Sequence, residues 1–215
     1  QPESSAASDV YKRQLSLTAQ TNPATWYLND ASGNGIQSPN NAASGTRSIA
    51  MGSLSTASGD YSTAMGYNSE ASGLMSTAMG SDTTASGDYS TATGRNTQAI
   101  GNFSTAMGYK SEARGAASTA MGWDTTASGS YSTAMGQLSE ASGRYTTAIG
   151  RYTTASDYAS TVIGQYNFLG STVTNSATQF STDNTALVIG NGADSNNRSD
   201  ALVVKFNGDA TLAGS

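Results

Sequence analysis

The sequence has no cysteine and no histidine among its 215 residues. The first absence excludes a disulfide framework, a zinc knuckle and thiol catalysis. The second removes the commonest general base and the commonest metal ligand. Proline is reduced to Pro2, Pro23 and Pro39, all near the start. Charged residues make up 12% of the chain, where about 25% is usual. The apolar share is 36%, against the usual roughly 45–50%, and much of it is alanine, which fills little core volume. A net charge of -5 argues against an electrostatic nucleic-acid binder. No apolar run is long enough for a membrane span. Residues 1–16 carry no signal-peptide core, so any export signal is expected to have been lost from this sequence or never to have belonged to it.

What is abundant is a repeat. From Pro39 to Gly164 the chain divides into 18 consecutive heptads without an insertion or deletion. Position seven is Gly in 17 of them, with Asp157 the exception. Position five is Ala in 17, with Val162 the exception, and position three is Ser or Thr in 17, with Asn41 the exception. So strict a period implies one structural unit repeated, not a globular core. A coiled coil is ruled out, because glycine costs about 1 kcal/mol in each helix interior and no paired apolar stripe is present. In a strand, positions three, five and seven share one face. Glycine at position seven also tolerates the positive φ of a corner. Each heptad therefore reads as a short strand plus a tight turn.

Positions two, four and six are expected on the opposite face, and their character alternates. One class reads Tyr61-Thr63-Met65, Phe103-Thr105-Met107 or Tyr131-Thr133-Met135; the other reads Asn68-Glu70-Ser72 or Lys110-Glu112-Arg114. The true repeat is thus 14 residues, and nine copies fit. The expected fold is all-β, a flattened parallel β-solenoid of about nine coils with two sheets, rising about 4.8 Å per coil. Its interior of Ser, Ala and Gly is thin. Six of the seven methionines lie at position six of one face: Met51, Met65, Met79, Met107, Met121 and Met135. An apolar stripe of that length marks an interface, so the roll is expected to associate along its length.

The units S-T-A-M-G, S-E-A-S-G and T-T-A-S-G, spaced seven residues apart over 39–164, resemble the YadA-like head repeats of trimeric autotransporter adhesins. That resemblance implies a left-handed β-roll and a homotrimer with the methionine face toward its axis. The implied trimer interface is Met51, Met65, Met79, Phe103, Met107, Met121, Met135, Ile149 and Ile163. It also implies an extracellular place, either on a cell surface with an outer-membrane anchor in the parent protein or on a virion fibre. The implied ligand is an extracellular-matrix protein or a glycan. The sequence departs from the family pattern in having Thr at position four and Met at position six, where Val and Ile are frequent. This lowers the apolar burial available per coil.

The flanks divide as follows. Residues 1–14 share nothing with the rest and are expected to be a non-native scar. Residues 15–38, with Trp26, Tyr27 and Leu28, suit an N-terminal cap. Residues 165–184 read as an irregular connector, and 185–215 as a short β segment with strands near Ala186–Gly192 and Ala201–Gly208. That last segment resembles one that follows such repeats in surface proteins and tail fibres, where it leads into a self-cleaving intramolecular chaperone. With chaperone, stalk and anchor all missing, the chain is expected to be a fragment or a mature fibre piece.

Candidate sites are few. Glu70, Glu112 and Glu140 share position four of the polar class, but a glycosidase needs two carboxylates about 5–10 Å apart in a cleft, and a flat roll offers none. Lys110, Glu112 and Arg114 form a charge cluster suited to docking or to discouraging lateral aggregation. Asp60, Asp82, Asp88 and Asp124 lack the glycine pattern of calcium β-rolls. Tyr67, Tyr109 and Trp123 open polar heptads at the corners, where they suit either ligand stacking or an edge between protomers. Ile100 and Thr93 are the odd residues at position six. No catalytic residue, cofactor or metal is expected. Three functions are consistent with the sequence: an adhesive fibre head, a structural spacer of a tail fibre, and an ice-binding solenoid suggested by the Thr column from Thr63 to Thr161.

Overall fold

The computed structural model describes residues 27–28, 35–37, 41–172 and 176–213. The expected scar at 1–14 and the cap residue Trp26 lie outside the described residues. From residue 41 to Gln165 the chain winds as a parallel β-solenoid. Nine long strands, from Ser48–Ser53 to Thr161–Gln165, stack in one sheet. Nine short strands, from Ala42–Ala43 to Thr154–Ala155, stack in the other. The long strands come from the methionine-class heptads and the short ones from the polar class. Register between coils is fixed at 14 residues, as in Thr91↔Thr105, Ala92↔Ala106 and Gly94↔Gly108.

The glycines set this register by proximity. A Cβ on Gly59 would stand 2.1 Å from the carbonyl oxygen of Gly73, and one on Gly101 would stand 2.0 Å from that of Gly115. Both have ordinary φ. The methionine-class glycines add a second demand: Gly66 has φ 121° and its Cβ would meet Gly80 O at 1.9 Å. The two glycine columns differ in place. Gly59 and Gly101 are buried, whereas Gly66 and Gly108 are exposed, so position seven faces the interior only in the polar class.

Position two departs from the expected strand face. All eighteen described non-glycine residues with positive φ, between 43° and 63°, fall there, from Arg47 to Tyr166. They are left-handed corner residues, not strand residues. The cost, roughly 1 kcal/mol each, is offset because every corner is tied to the coil before it. Tyr61 N–H donates to Thr46 O at 2.7 Å and Phe103 N–H donates to Asp88 O at 2.7 Å. Their Cβ atoms point outward into space, so glycine is not required.

The interior is a column of alanines from Ala43 to Ala155, closed by Val162 and Val188, all fully buried. Beside it run the position-three hydroxyls. In the polar class several relay: Thr83 Oγ1 donates to Ser69 Oγ at 2.9 Å, which donates to Gly80 O at 3.1 Å, whereas the Thr97 hydroxyl is buried and unpaired. In the methionine class Ser48 and Thr146 donate to the carbonyl three residues earlier, while Ser62, Ser76, Ser90, Ser104, Ser118, Ser132 and Ser160 have buried, unpaired hydroxyls.

The exceptions to the repeat sit in the first and last coils. Asn41 Oδ1 accepts Ser55 N–H at 2.7 Å and its Nδ2 donates to Gly52 O at 3.0 Å. Asp157 is buried at 1% exposure, and its Oδ2 accepts Thr185 N–H at 3.1 Å. Asn167 covers the edge of the short sheet as a peptide would. Its Oδ1 accepts Thr154 N–H at 2.8 Å and its Nδ2 donates to Thr154 O at 3.1 Å. Register then resumes, which the sequence did not reveal. The strand Thr185–Asn191 pairs with Thr161–Gln165 in parallel, with Ile163↔Ile189 and Gly164↔Gly190. Strands Asp200–Lys205 and Ala210–Leu212 follow in antiparallel order. At the other end Gly35–Gln37 pairs in parallel with the first long strand, and Tyr27–Leu28 pairs antiparallel outside it.

Two outcomes are expected in thermal or denaturant unfolding. Gly101→Ala places a methyl against the backbone of the next coil and should cost several kcal/mol or prevent folding, beyond the range of about 0.5–3 kcal/mol typical of point mutants; Ala159→Gly, at a corner, should stay within about 1 kcal/mol of the parent. Asn167→Ala leaves the Thr154 N–H without a partner and its carbonyl with Thr172 Oγ1 alone; it should cost about 1–3 kcal/mol, with limited proteolysis then cutting first after residue 165.

Candidate functional site

Three surfaces run the length of the roll. The outer face of the long sheet carries two ladders in register. Threonine occupies position four at Thr63, Thr77, Thr91, Thr105, Thr119, Thr133, Thr147 and Thr161. Position six pairs Met51↔Met65, Met65↔Met79, Met107↔Met121, Met121↔Met135, Met135↔Ile149 and Ile149↔Ile163. Ile189 extends this ladder beyond the heptads, and Thr93 interrupts it between Met79 and Met107. Met107, Ile149 and Ile163 are 39%, 40% and 37% exposed in the single chain. The sheet thus has an apolar skin on the outside and only alanine and small hydroxyls on the inside.

Phe103 belongs elsewhere. Grouped by sequence with the methionine face, it sits instead at the corner that precedes the long strand, 63% exposed. There it stacks on Tyr89 with centroids 5.0 Å apart and planes 4° apart. The corner forms a ridge of Tyr61, Met75, Tyr89, Phe103, Tyr131 and Tyr145, all exposed. Tyr131 and Tyr145 also stack at 5.0 Å. Arg47 lies over Tyr61, and Arg144 over Tyr145. Nothing in the residue types marks these positions as corners, because Tyr and Phe are strand formers and position two keeps the strand's alternation on paper.

The opposite corner holds Tyr67, Tyr109 and Trp123, each the last residue of a long strand. Tyr109 pairs with Trp123 in register, with rings 6.4 Å apart and tilted by 36°. Arg95 and Lys110 lie over the Tyr109 ring at 5.9 Å and 5.5 Å. Lys110 is itself a left-handed corner residue, so it leaves the strand that carries Glu112.

The short sheet presents a polar face. Its position-four column reads Thr56, Glu70, Thr84, Gln98, Glu112, Thr126, Glu140 and Thr154 in register. A threonine or glutamine separates each glutamate from the next. Glu112 is held by Arg114, whose Nε donates to Oε2 at 2.8 Å. Ile100 lies 40% exposed in the neighbouring position-six column. The aspartates serve the turns: Asp60 accepts Thr46 N–H at 2.8 Å, and Asp88 accepts Leu74 N–H at 3.0 Å. Hydrogen bonds from Asn68 and Ser81, with Arg95 nearby, hold the Asp82 carboxyl below the usual carboxylate range. Donors from Asn197 and the Asn196 backbone do the same for Asp194. Both carboxylates stay ionised at neutral pH, and what their bonds contribute is lost only as pH falls through the lowered values. Among the described residues, no group of three or more carboxylates is placed to hold a metal ion, and no helix is long and apolar enough to cross a membrane.

No curated protein matches the chain at a significant level. The family model of the YadA head domain repeat, two copies per match, fits residues 43–69, 71–97, 86–111, 99–125, 113–139, 127–153 and 141–167. These matches cover more than half of the chain and advance in steps of the coil seen in the structure. The chain belongs to the YadA head family, and its β-solenoid has the repeat and the fold of an adhesin-type head domain.

Proposed function

We propose that this chain is the head of a trimeric surface adhesin, a rigid rod that sits outside the cell and attaches it to a matrix protein or a glycan. The observation that carries this reading is the inverted distribution of apolar side chains. Among the described residues the fully buried core cluster holds nothing larger than valine, while methionine and isoleucine form a ladder on one outer face that only Thr93 interrupts. A ladder running the whole length of the roll is covered only by partners lying alongside it, and a cyclic assembly about an axis parallel to the stack covers every copy equally. The short sheets then face outward, three to a rod. The attachment surface is this outward face, with Glu70, Lys110, Glu112 and Arg114, bordered by Tyr67, Tyr109 and Trp123. A weak contact repeated on three faces gains by avidity. Adhesion, not catalysis, fits a surface of this kind, where the titratable groups are dispersed and engaged in turns.

Light scattering should report about three chains per particle. Met107→Asp buries unpaired carboxylates at the axis, which costs several kcal/mol, and should yield single chains, whereas Glu112→Ala should leave the mass unchanged. Equal masses for the two variants would put the interface on another face. On arrays of glycans and matrix proteins, the trimer should bind more tightly than the Met107→Asp chain, and Lys110→Ala with Arg114→Ala should reduce binding without altering the mass.

A further inference from the structure

The aromatic ridge has one vacancy. Ridge rings stack at 5.0 Å, in Tyr89–Phe103 and in Tyr131–Tyr145. Between Phe103 and Tyr131 the corner residue is Ala117, preceded by Ala116, and both are exposed. The backbone does not break there, since Ala117 N–H donates to Asn102 O and Tyr131 N–H to Ala116 O, both at 2.8 Å. Phe103 and Tyr131 are two coils apart, about 10 Å, so the gap is one ring wide. A second alanine, Ala159, also interrupts the ridge, but there the chain fills the gap itself. Tyr158 packs edge-on against Tyr145 at 5.4 Å and reaches Phe180 at 6.5 Å. At Ala117 the equivalent neighbour is Ala116, which has no ring to offer.

The same coil carries the missing ring at its other end. The strand Thr119–Trp123 begins two residues after Ala117 and ends on Trp123, whose side chain is 48% exposed. We propose that in the assembled head Trp123 inserts its indole into the slot at Ala116 and Ala117 of the neighbouring copy, between Phe103 and Tyr131 of that copy. The proposal rests on the cyclic assembly argued above. Such contacts are heterologous, so the leading corner of each long strand meets the trailing corner of its neighbour. Rotation about an axis parallel to the stack preserves height, so residues of the same coil meet. Two coils away the same rule brings Asp88 of one copy to Arg95 of the next, opposite charges. It also brings Arg144 to Arg151, and each of these lies over tyrosine rings of its own chain. The partner for this surface is a second copy of the chain, and the slot seats one corner of each copy against the next.

The test uses the full chain with Trp26→Phe, so that Trp123 is the sole indole. In the three-chain particle its emission should be blue-shifted and its acrylamide quenching several-fold weaker than in the Met107→Asp single chain. Ala117→Tyr fills the slot from within, and its ring adopts the corner conformation already used by Tyr89 and Tyr131, so folding should be retained by circular dichroism. It should expose Trp123 and raise the dissociation constant roughly tenfold or more, as does loss of a central aromatic anchor. Adding Trp123→Ala to Ala117→Tyr should recover part of that loss, while Trp123→Ala alone should weaken assembly. A three-chain particle in which Trp123 is as quenchable as in the single chain, or unaffected by Ala117→Tyr, overturns the slot and leaves the trimer standing. A single-chain particle for the parent overturns both.

Discussion

The structure depends on how closely successive coils approach at the glycine columns. With Gly101 there is no room for one carbon atom between its backbone and that of the next coil. This contact restricts the register, because a slip by any number of residues that is not a multiple of seven brings a side chain into the column. Once the register is fixed, parallel pairing, the stacking of alanine on alanine and the alignment of both outer faces follow. The glycines serve proximity in both columns and a special φ in only one of them.

A roll drawn this tight cannot hold a conventional core. Alanine and small hydroxyls fill it, so protomer stability comes from hydrogen bonds between coils, including those at the left-handed corners. The apolar side chains that another protein would bury inside are displaced to the outer face of the long sheet and to the aromatic ridge. In the proposed assembly, cohesion between protomers is the counterpart of the missing interior, and the two outer faces divide the work. One face repeats a threonine column beside an apolar column along its length, broken only at Thr93. The other varies from coil to coil and is polar.

The period, the two sheets, the alanine interior and the threonine–methionine ladders were legible in the residues themselves, because each rests on alternation within a strand. The corner at position two was not. Phe103 and Tyr61 share the alternation of Thr105 and Met107 on paper, and only the backbone shows the chain turning through positive φ at them. Their side chains gave no warning, since the constraint falls on the peptide and the side chain is free. Asn41 and Asp157 were visible as exceptions, but their meaning needed the structure: Asn41 bonds to Ser55 and Gly52, and Asp157 to the strand Thr185–Asn191. The renewed register at Gly190 was hidden by the longer excursion from Gly164, through which Asn167 substitutes for a strand. The candidate surfaces were half legible. Glu112 and Arg114 fell on the polar face as expected, Phe103 moved to the ridge, and the vacancy at Ala117 had no signal apart from its neighbours in space.

Translation by one coil maps most of this molecule onto itself. Adding or removing 14 residues within the array therefore changes the rod by about 4.8 Å and leaves every remaining contact of the same kind in place. Length is then a quantity that can drift by duplication without any new packing problem being solved, and reach becomes adjustable independently of fold. The freedom has bounds near the two ends of the short sheet, where Asn41 and Asp157 bond outside the repeat, and, in the proposed assembly, in the coil of Ala117 and Trp123, whose two corners move together because they lie in one strand's span. In the proposed assembly, a unit gained or lost elsewhere shifts that coil along the rod identically in every copy, so copies of equal length would still agree on where to lock.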